Sequence, residues 1–178
     1  SFDELRACLD RAVLEEPGVV AVRYPRGGEP ALPAGLSDGG RNFLLSGKGE
    51  AELLLVTYGR ETAECAAAAE ALRQRGRTCD LLKLLKIAPL DPEILAVCKS
   101  YPSILFAEEG ERSGSIGEHL AAALLESGYT GRFLHIAVPD TFAAGEPVPA
   151  GIARYGLDAA SLTDRAEAFL QEGGGLRG

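Results

Sequence analysis

This chain lacks most of the marks by which a function is usually read. It has no Cys-x-x-Cys pair: Cys8, Cys65, Cys79 and Cys98 stand far apart, which excludes zinc-ribbon and redox-motif spacings. Each sits among apolar residues in a predicted helix or strand, so buried free thiols are expected. Positive charge is also scarce. With 18 Lys and Arg against 26 Asp and Glu, the net charge is -8, which argues against the extended basic face of a nucleic-acid binder. No run reaches the roughly 18 apolar residues that a membrane helix needs. The residues ahead of position 11 are charged rather than signal-like, and a cytoplasmic protein is expected.

Several catalytic signatures are missing as well. There is no Gly-x-Ser-x-Gly elbow, and neither His119 nor His135 has a second His at metal spacing, so hydrolase and metalloenzyme readings fail. Gly47-x-Gly49 lacks the third glycine of a dinucleotide fingerprint and precedes a strand instead of following one. No internal repeat is visible, which removes solenoid architectures.

What is present is ordinary globular usage, 46% hydrophobic and 25% charged residues in a chain of 178, enough for one domain with a real core plus an appendage. Residues 2–14 carry Phe2, Leu5, Leu9, Ala12 and Val13 at three- and four-residue steps, the stripe of an amphipathic helix. Residues 18–24 read as a short apolar strand closed by Pro25. Residues 27–41 hold five Gly and two Pro with no apolar period, the composition of a connection between two units. Phe43-Leu44-Leu45 and residues 53–57 flank Ser46-Gly47-Lys48-Gly49, which predicts a β-hairpin and hence one antiparallel strand.

From there the pattern alternates. Helices are predicted over residues 61–75, from the Asp91-Pro92 cap to Lys99, and over 115–127 and 161–171; strands are predicted over 78–85, 103–107 and 133–138. This predicts a three-layer α/β/α domain whose sheet is mostly parallel with one antiparallel edge strand. The expected boundaries are 1–27 for the end of a preceding unit, 28–42 for the linker, 43–172 for the domain, and 173–178 for a frayed, disordered glycine tail.

The most informative motif is Arg23-Tyr24-Pro25-Arg26-Gly27. It places two guanidinium groups at a strand end, with a stiff proline and a permissive glycine. Arg26, beyond the strand end, is the better placed to grip a phosphate or carboxylate through its planar donor fork. A surface turn with solvated arginines is the competing reading. Ser113-Gly114-Ser115-Ile116-Gly117 could offer backbone N–H groups to an anion, but an ordinary N-cap and tight loop serve as well. Glu108 and Glu109 are adjacent in a strand and should point to opposite faces, so they are not an acid–base pair; a structural job in a loop network or at a subunit contact is expected.

The pentad, lying between a helix–strand unit and a new α/β domain, resembles the end of the pyrimidine-binding domain of 1-deoxy-D-xylulose-5-phosphate synthases. Val56-Thr57-Tyr58-Gly59, Ala88-Pro89-Leu90-Asp91, Ala107-Glu108-Glu109, Val138-Pro139-Asp140 with Gly145, and Gly156-Leu157-Asp158-Ala159 are similar to successive landmarks of that family's transketolase-type C-terminal domain, in the same order. Most landmarks after Gly59 are shared loosely with transketolases and with 2-oxoacid dehydrogenase β subunits. The pentad and the Gly-Leu-Asp-Ala segment narrow the choice.

The resemblance implies an enzyme that joins pyruvate to D-glyceraldehyde 3-phosphate through a thiamine carbanion, losing carbon dioxide, on the way to isoprenoids, thiamine and pyridoxal. It implies that Arg26 clamps the aldehyde's phosphate and that the C-terminal domain contributes to a homodimer. It also implies thiamine diphosphate and Mg2+ in the full-length enzyme, held by residues that precede residue 1. No cofactor, metal or catalytic residue is therefore expected in this fragment, and no Gly-Asp-Gly run with a following Asn is present to supply magnesium ligands. The alternatives are the C-terminal part of a transketolase or of a 2-oxoacid dehydrogenase β subunit, and a free-standing interaction module. Ser1 opens directly on a helix with no initiator Met, as expected of a piece of a longer reading frame.

Overall fold

A computed structural model describes residues 1–25, 27–37, 42–143 and 145–174. The elements in chain order are α1 (Phe2–Leu14), β1 (Phe43–Ser46), β2 (Leu53–Tyr58), α2 (Glu61–Gln74), β3 (Cys79–Leu84), α3 (Pro92–Lys99), β4 (Ser103–Glu111), α4 (Ile116–Glu126), β5 (Arg132–Val138), α5 (Val148–Arg154) and α6 (Ala159–Gly174). The five strands form one sheet in the order β1-β3-β2-β4-β5. Every pairing is parallel except that of β1 with β3, so the expected fold class holds.

Burial on both faces explains why these strands read as continuous apolar runs rather than alternating ones. On one face Leu53, Leu55, Leu81 and Leu105 pack with Cys65, Ala68 and Leu72 of α2 and with Leu162 and Phe169 of α6. On the other, Leu54, Val56, Leu82 and Phe106 pack with Ile94 and Cys98 of α3 and with Leu120 and Leu124 of α4. The alanines of α2 let that helix lie close to the sheet. Three of the thiols are buried and Cys8 is half-buried, all of them free.

The expected β1–β2 hairpin is not formed, because β1 pairs with β3 and β2 lies beyond β3. The connecting glycines do something else. Asp80 of β3 accepts hydrogen bonds from Gly49 N at 2.8 Å and Tyr101 Oη at 2.7 Å, which ties the loop across the end of β3. Gly47, at φ 152°, faces the same carboxylate, and a Cβ there would stand 2.5 Å from Asp80 Oδ2.

The predicted strand at 18–24 is also absent. That segment has no regular structure, and Val19 is fully exposed; an apolar pattern cannot make a strand without a neighbour to accept its backbone bonds. The stripe of α1 is likewise largely unburied, with Phe2, Leu9 and Val13 exposed. What seats α1 is polar: its only buried residue, Glu4, meets Lys83 Nζ at 2.5 Å, and Lys83 also donates to Leu36 O at 2.8 Å. Leu36 itself enters the core and Leu32 packs against it, so the connection meets the domain at these two residues.

α5 lies where no element is predicted; proline stands in its first turn, where it is tolerated. α6 begins at Ala159 and runs through Gly174, past the expected helix end at 171 and into the expected tail at 173–178, because backbone helix bonds continue without side chains; residues 175–178 lie outside the described residues. The Asp91-Pro92 start of α3 is as expected, with Asp91 accepting from Glu93 N.

Candidate functional site

The winding of the chain locates the crevice. From β2 the chain crosses to β3 on one side, then returns past β2 to β4 on the other, so the order reverses between β2 and β4. In open α/β sheets the carboxyl ends of the strands at such a reversal are where ligands sit. The residues there are Tyr58 at the end of β2, Arg60 and Glu61 at the start of α2, Glu108 and Glu109 of β4, and the start of α4.

Glu108 is the hub. It is fully buried, and its carboxylate accepts from Tyr58 Oη at 2.8 Å and Gly117 N at 2.9 Å, with His135 Nε2 at 2.7 Å. Burial alone would raise its pKa, but the hydrogen bonds from His135, Tyr58 and Gly117 outweigh that and hold the carboxyl below its ordinary value. A carboxylate against the first turn of α4 also complements the helix dipole. Burial and the bond to Glu108 push the Tyr58 phenol up. The site has no room to spare, since a Cβ on Gly117 would stand 2.8 Å from Glu108 Oε1 and 2.6 Å from His135 Cδ2.

Glu109 turns away, as alternation requires, and pairs with Arg60 Nε at 3.1 Å on the surface. The two glutamates are thus separated, one locked inside and one solvated. Glu108 bonds to β2, β5 and α4 at once, which is a structural arrangement; nothing in it offers a free acid or base to a substrate.

The start of α4 is similarly closed. Ser115 caps it by accepting from Glu118 N, Gly114 N donates to Glu118 Oε2, and Ser113 donates to Asp140 through N and Oγ. The amides of Gly114, Gly117 and Glu118 have partners in the chain, which favours the N-cap reading over an anion site. His119 is exposed on α4, far in role from the buried His135.

Arg26 lies outside the described residues. Its neighbours Arg23, Tyr24 and Pro25 are exposed, and Gly27 adopts φ 113°, the conformation for which glycine is suited. The Arg23 charge is within electrostatic reach of Tyr58, where it offsets a small part of the rise that burial and Glu108 impose.

Glu61 was passed over in the sequence, where an acid in the first turn of a helix reads as dipole-stabilised surface. It is instead fully buried, and neither carboxylate oxygen has a hydrogen-bond partner. The available signal is its place on the stripe Glu61, Cys65, Ala68 and Leu72, which faces the sheet.

For the thiamine diphosphate and magnesium that the resemblance implies, these residues do not fit. Among the described residues no three of His, Cys, Asp or Glu converge on a metal position, and Glu108 is fully bonded within the chain. Two hollows of about 490 Å³ lie elsewhere, one beside Ser1, Glu29 and Pro30, the other beside Arg11, Asn42 and Phe43. Among the described residues no helix is long and apolar enough to cross a membrane.

Fold and site together define a doubly wound α/β domain whose switch-point residues bond chiefly to one another. The chain belongs to the family described as Transketolase, C-terminal domain, which matches residues 45–162. It is 29% identical over 174 residues to a 1-deoxy-D-xylulose-5-phosphate synthase of Synechococcus sp. (strain JA-2-3B'a(2-13)), covering 94% of this chain and 26% of that protein. It is 31% identical over 175 residues to 1-deoxy-D-xylulose-5-phosphate synthase 1 of Geobacter sulfurreducens, covering 94% and 27%. Among solved structures, a chain described as a split gene transketolase, inactive beta4 tetramer, matches with a TM-score of 0.61 at 25% identity, covering 68% of this chain and 40% of that one. The resemblance to the C-terminal part of the deoxyxylulose-phosphate synthases is therefore borne out. The chain spans about a quarter of the length of these two curated relatives.

Proposed function

We propose that this chain is the C-terminal part of a cytoplasmic thiamine-diphosphate- and magnesium-dependent transferase that condenses pyruvate with D-glyceraldehyde 3-phosphate to 1-deoxy-D-xylulose 5-phosphate and carbon dioxide. One observation carries the reading: the similarity to two such synthases extends over 94% of the chain, beyond the 45–162 family match. Residues 1–27 then close the pyrimidine-binding domain, 28–42 connect, and the domain from residue 43 serves subunit association in a homodimer. The exposed Phe2, Leu9, Val13 and Val19 are consistent with a face that the preceding domain covers.

In this reading the cofactor and its metal are held by residues outside this chain and supply the carbanion chemistry. The chain on its own catalyses nothing. Its one contribution to substrate is Arg26, whose guanidinium holds the phosphate of the aldehyde at a distance from the reacting carbon. The test is Arg26→Ala in a chimera that carries this chain as the C-terminal quarter of the Geobacter sulfurreducens synthase. The KM for glyceraldehyde 3-phosphate should rise by about 30- to 150-fold, matching a charge-assisted bond of about 2–3 kcal/mol, with the KM for pyruvate little changed. An equal effect on both substrates overturns the clamp.

A further inference from the structure

Lys83 is a buried cation where the sheet otherwise uses leucine. It lies two residues beyond Leu81 on β3, so its side chain leaves from the face that packs α2. A leucine would serve that core, and a buried ion pair in its place brings little net stability. What the ammonium adds is the capacity to hold two acceptors at once. It meets Glu4 Oε1 of α1 at 2.5 Å and donates to Leu36 O, in the connection, at 2.8 Å.

These two partners stand on either side of the pentad at 23–27. One buried group thus joins the upstream and downstream ends of the segment that carries it, and residues 5–35 form a loop closed at Lys83. Weaker ties repeat the closure: Ser1 Oγ lies 2.7 Å from Ser37 Oγ, and Phe2 N donates to Glu29 Oε1 at 3.0 Å, both exposed. Bonds open to water contribute little, so the buried, charge-assisted contact is the stronger hold. Leu36 is packed in the core, which anchors the clasp to the domain. Further along α1, Arg11 donates to Asn42 Oδ1 at 3.0 Å, and the Asn42 amide donates at 2.7 Å to Asp91, the cap of α3.

We propose that Lys83 is a positioning residue: by clasping Glu4 and Leu36 it sets where the pentad-bearing loop stands, and so gives this domain a share in holding the phosphate of the aldehyde. The role rests on the reading of Arg26 as the phosphate clamp. Lys83 touches no substrate and acts only through the loop. Joining the ends of a loop restricts the positions open to every residue along it, and a small misplacement of a binding group forfeits much of its effect.

The test uses the chimera described above. Lys83→Met should raise the KM for glyceraldehyde 3-phosphate about 10-fold and leave that for pyruvate little changed. In an Arg26→Ala background the same change should raise it less than about 2-fold, because the group that Lys83 positions is gone. Hydrogen exchange of the chain itself gives a readout independent of activity: Lys83→Met should speed exchange in α1 and in residues 27–37 and leave β2 and β4 as they were. Should Lys83→Met not fold, Glu4→Gln loosens the same clasp from the α1 side and should give the same split between the two substrates. A selective effect of Arg26→Ala with none from Lys83→Met, additive losses in the double variant, or exchange that is unchanged or rises equally across the sheet would overturn this proposal alone. An effect of Arg26→Ala that is equal on both substrates overturns the clamp, and this role with it.

Discussion

Replacing Gly117 by alanine sets two magnitudes against each other. At a free helical position the change stabilises by up to about 1 kcal/mol, because alanine is the better helix former. At Gly117 the added methyl has nowhere to go: its carbon would stand 2.8 Å from Glu108 Oε1 and 2.6 Å from His135 Cδ2, both buried groups. Overpacking of a tight core costs about 1–3 kcal/mol. Displacing Glu108 also breaks a charge-assisted bond to the Gly117 amide, worth about 1.5–3 kcal/mol. The clash and the lost bond outweigh the propensity, leaving a net loss of about 2–4 kcal/mol. In a chain of this size that lowers Tm by roughly 8 °C, read by circular dichroism. Gly151→Ala in α5 is the control, since its new carbon would meet only Glu146 at 3.8 Å; its Tm should hold or rise slightly. If Gly117→Ala is as stable as the parent, Glu108 is not the locked hub described above.

Three further outcomes are expected. Glu108, held below its ordinary pKa, stabilises the fold above its unfolded-state value of about 4.5 and loses that contribution as pH falls through its folded value; Glu108→Gln should therefore show a shallower acid limb in urea unfolding, and an unchanged limb would contradict the hub. Glu61 has the opposite sign: the folded chain keeps a proton that the unfolded chain releases above about 4.5, so stability should fall as pH rises toward about 9, and Glu61→Gln should remove that slope. Lys83→Met removes one of the cations on the buried Glu4 carboxylate, which keeps the Ser1 ammonium, at a cost of about 1.5–3 kcal/mol, and should loosen α1, seen as faster tryptic cleavage at Arg6 and Arg11; an unaltered rate would show that α1 is seated by something else.

The fold was largely legible because its signals are local. Apolar runs too short for helices, alternating with the alanine-rich and capped segments of α2 and α3, specify a parallel sheet with helices on both faces. Pairing is not local, which is why β1 was assigned to β2: nothing in Phe43-Leu44-Leu45 states that β3 will lie between them. The 18–24 segment shows the converse, since an apolar pattern reports fitness for a sheet but not whether a neighbour exists. At the site, the opposite facing of Glu108 and Glu109 followed from the two-residue period of a strand. The joining of Tyr58, Glu108 and His135 depends on the alignment of three strand ends and could not be read from spacings of 50 and 27 residues. Glu61 was missed because its position in a first helical turn suits solvent as well as burial, and only the packing of α2 on the sheet decides between them.

The central claim, that this chain serves as the C-terminal quarter of a deoxyxylulose-phosphate synthase, is tested most directly by exchange. The chain would replace the matching quarter of the Geobacter sulfurreducens enzyme, and formation of 1-deoxy-D-xylulose 5-phosphate from pyruvate and glyceraldehyde 3-phosphate would be measured. The chimera should form product with thiamine diphosphate and magnesium while the chain alone forms none. A folded, dimeric chimera without that activity would contradict it.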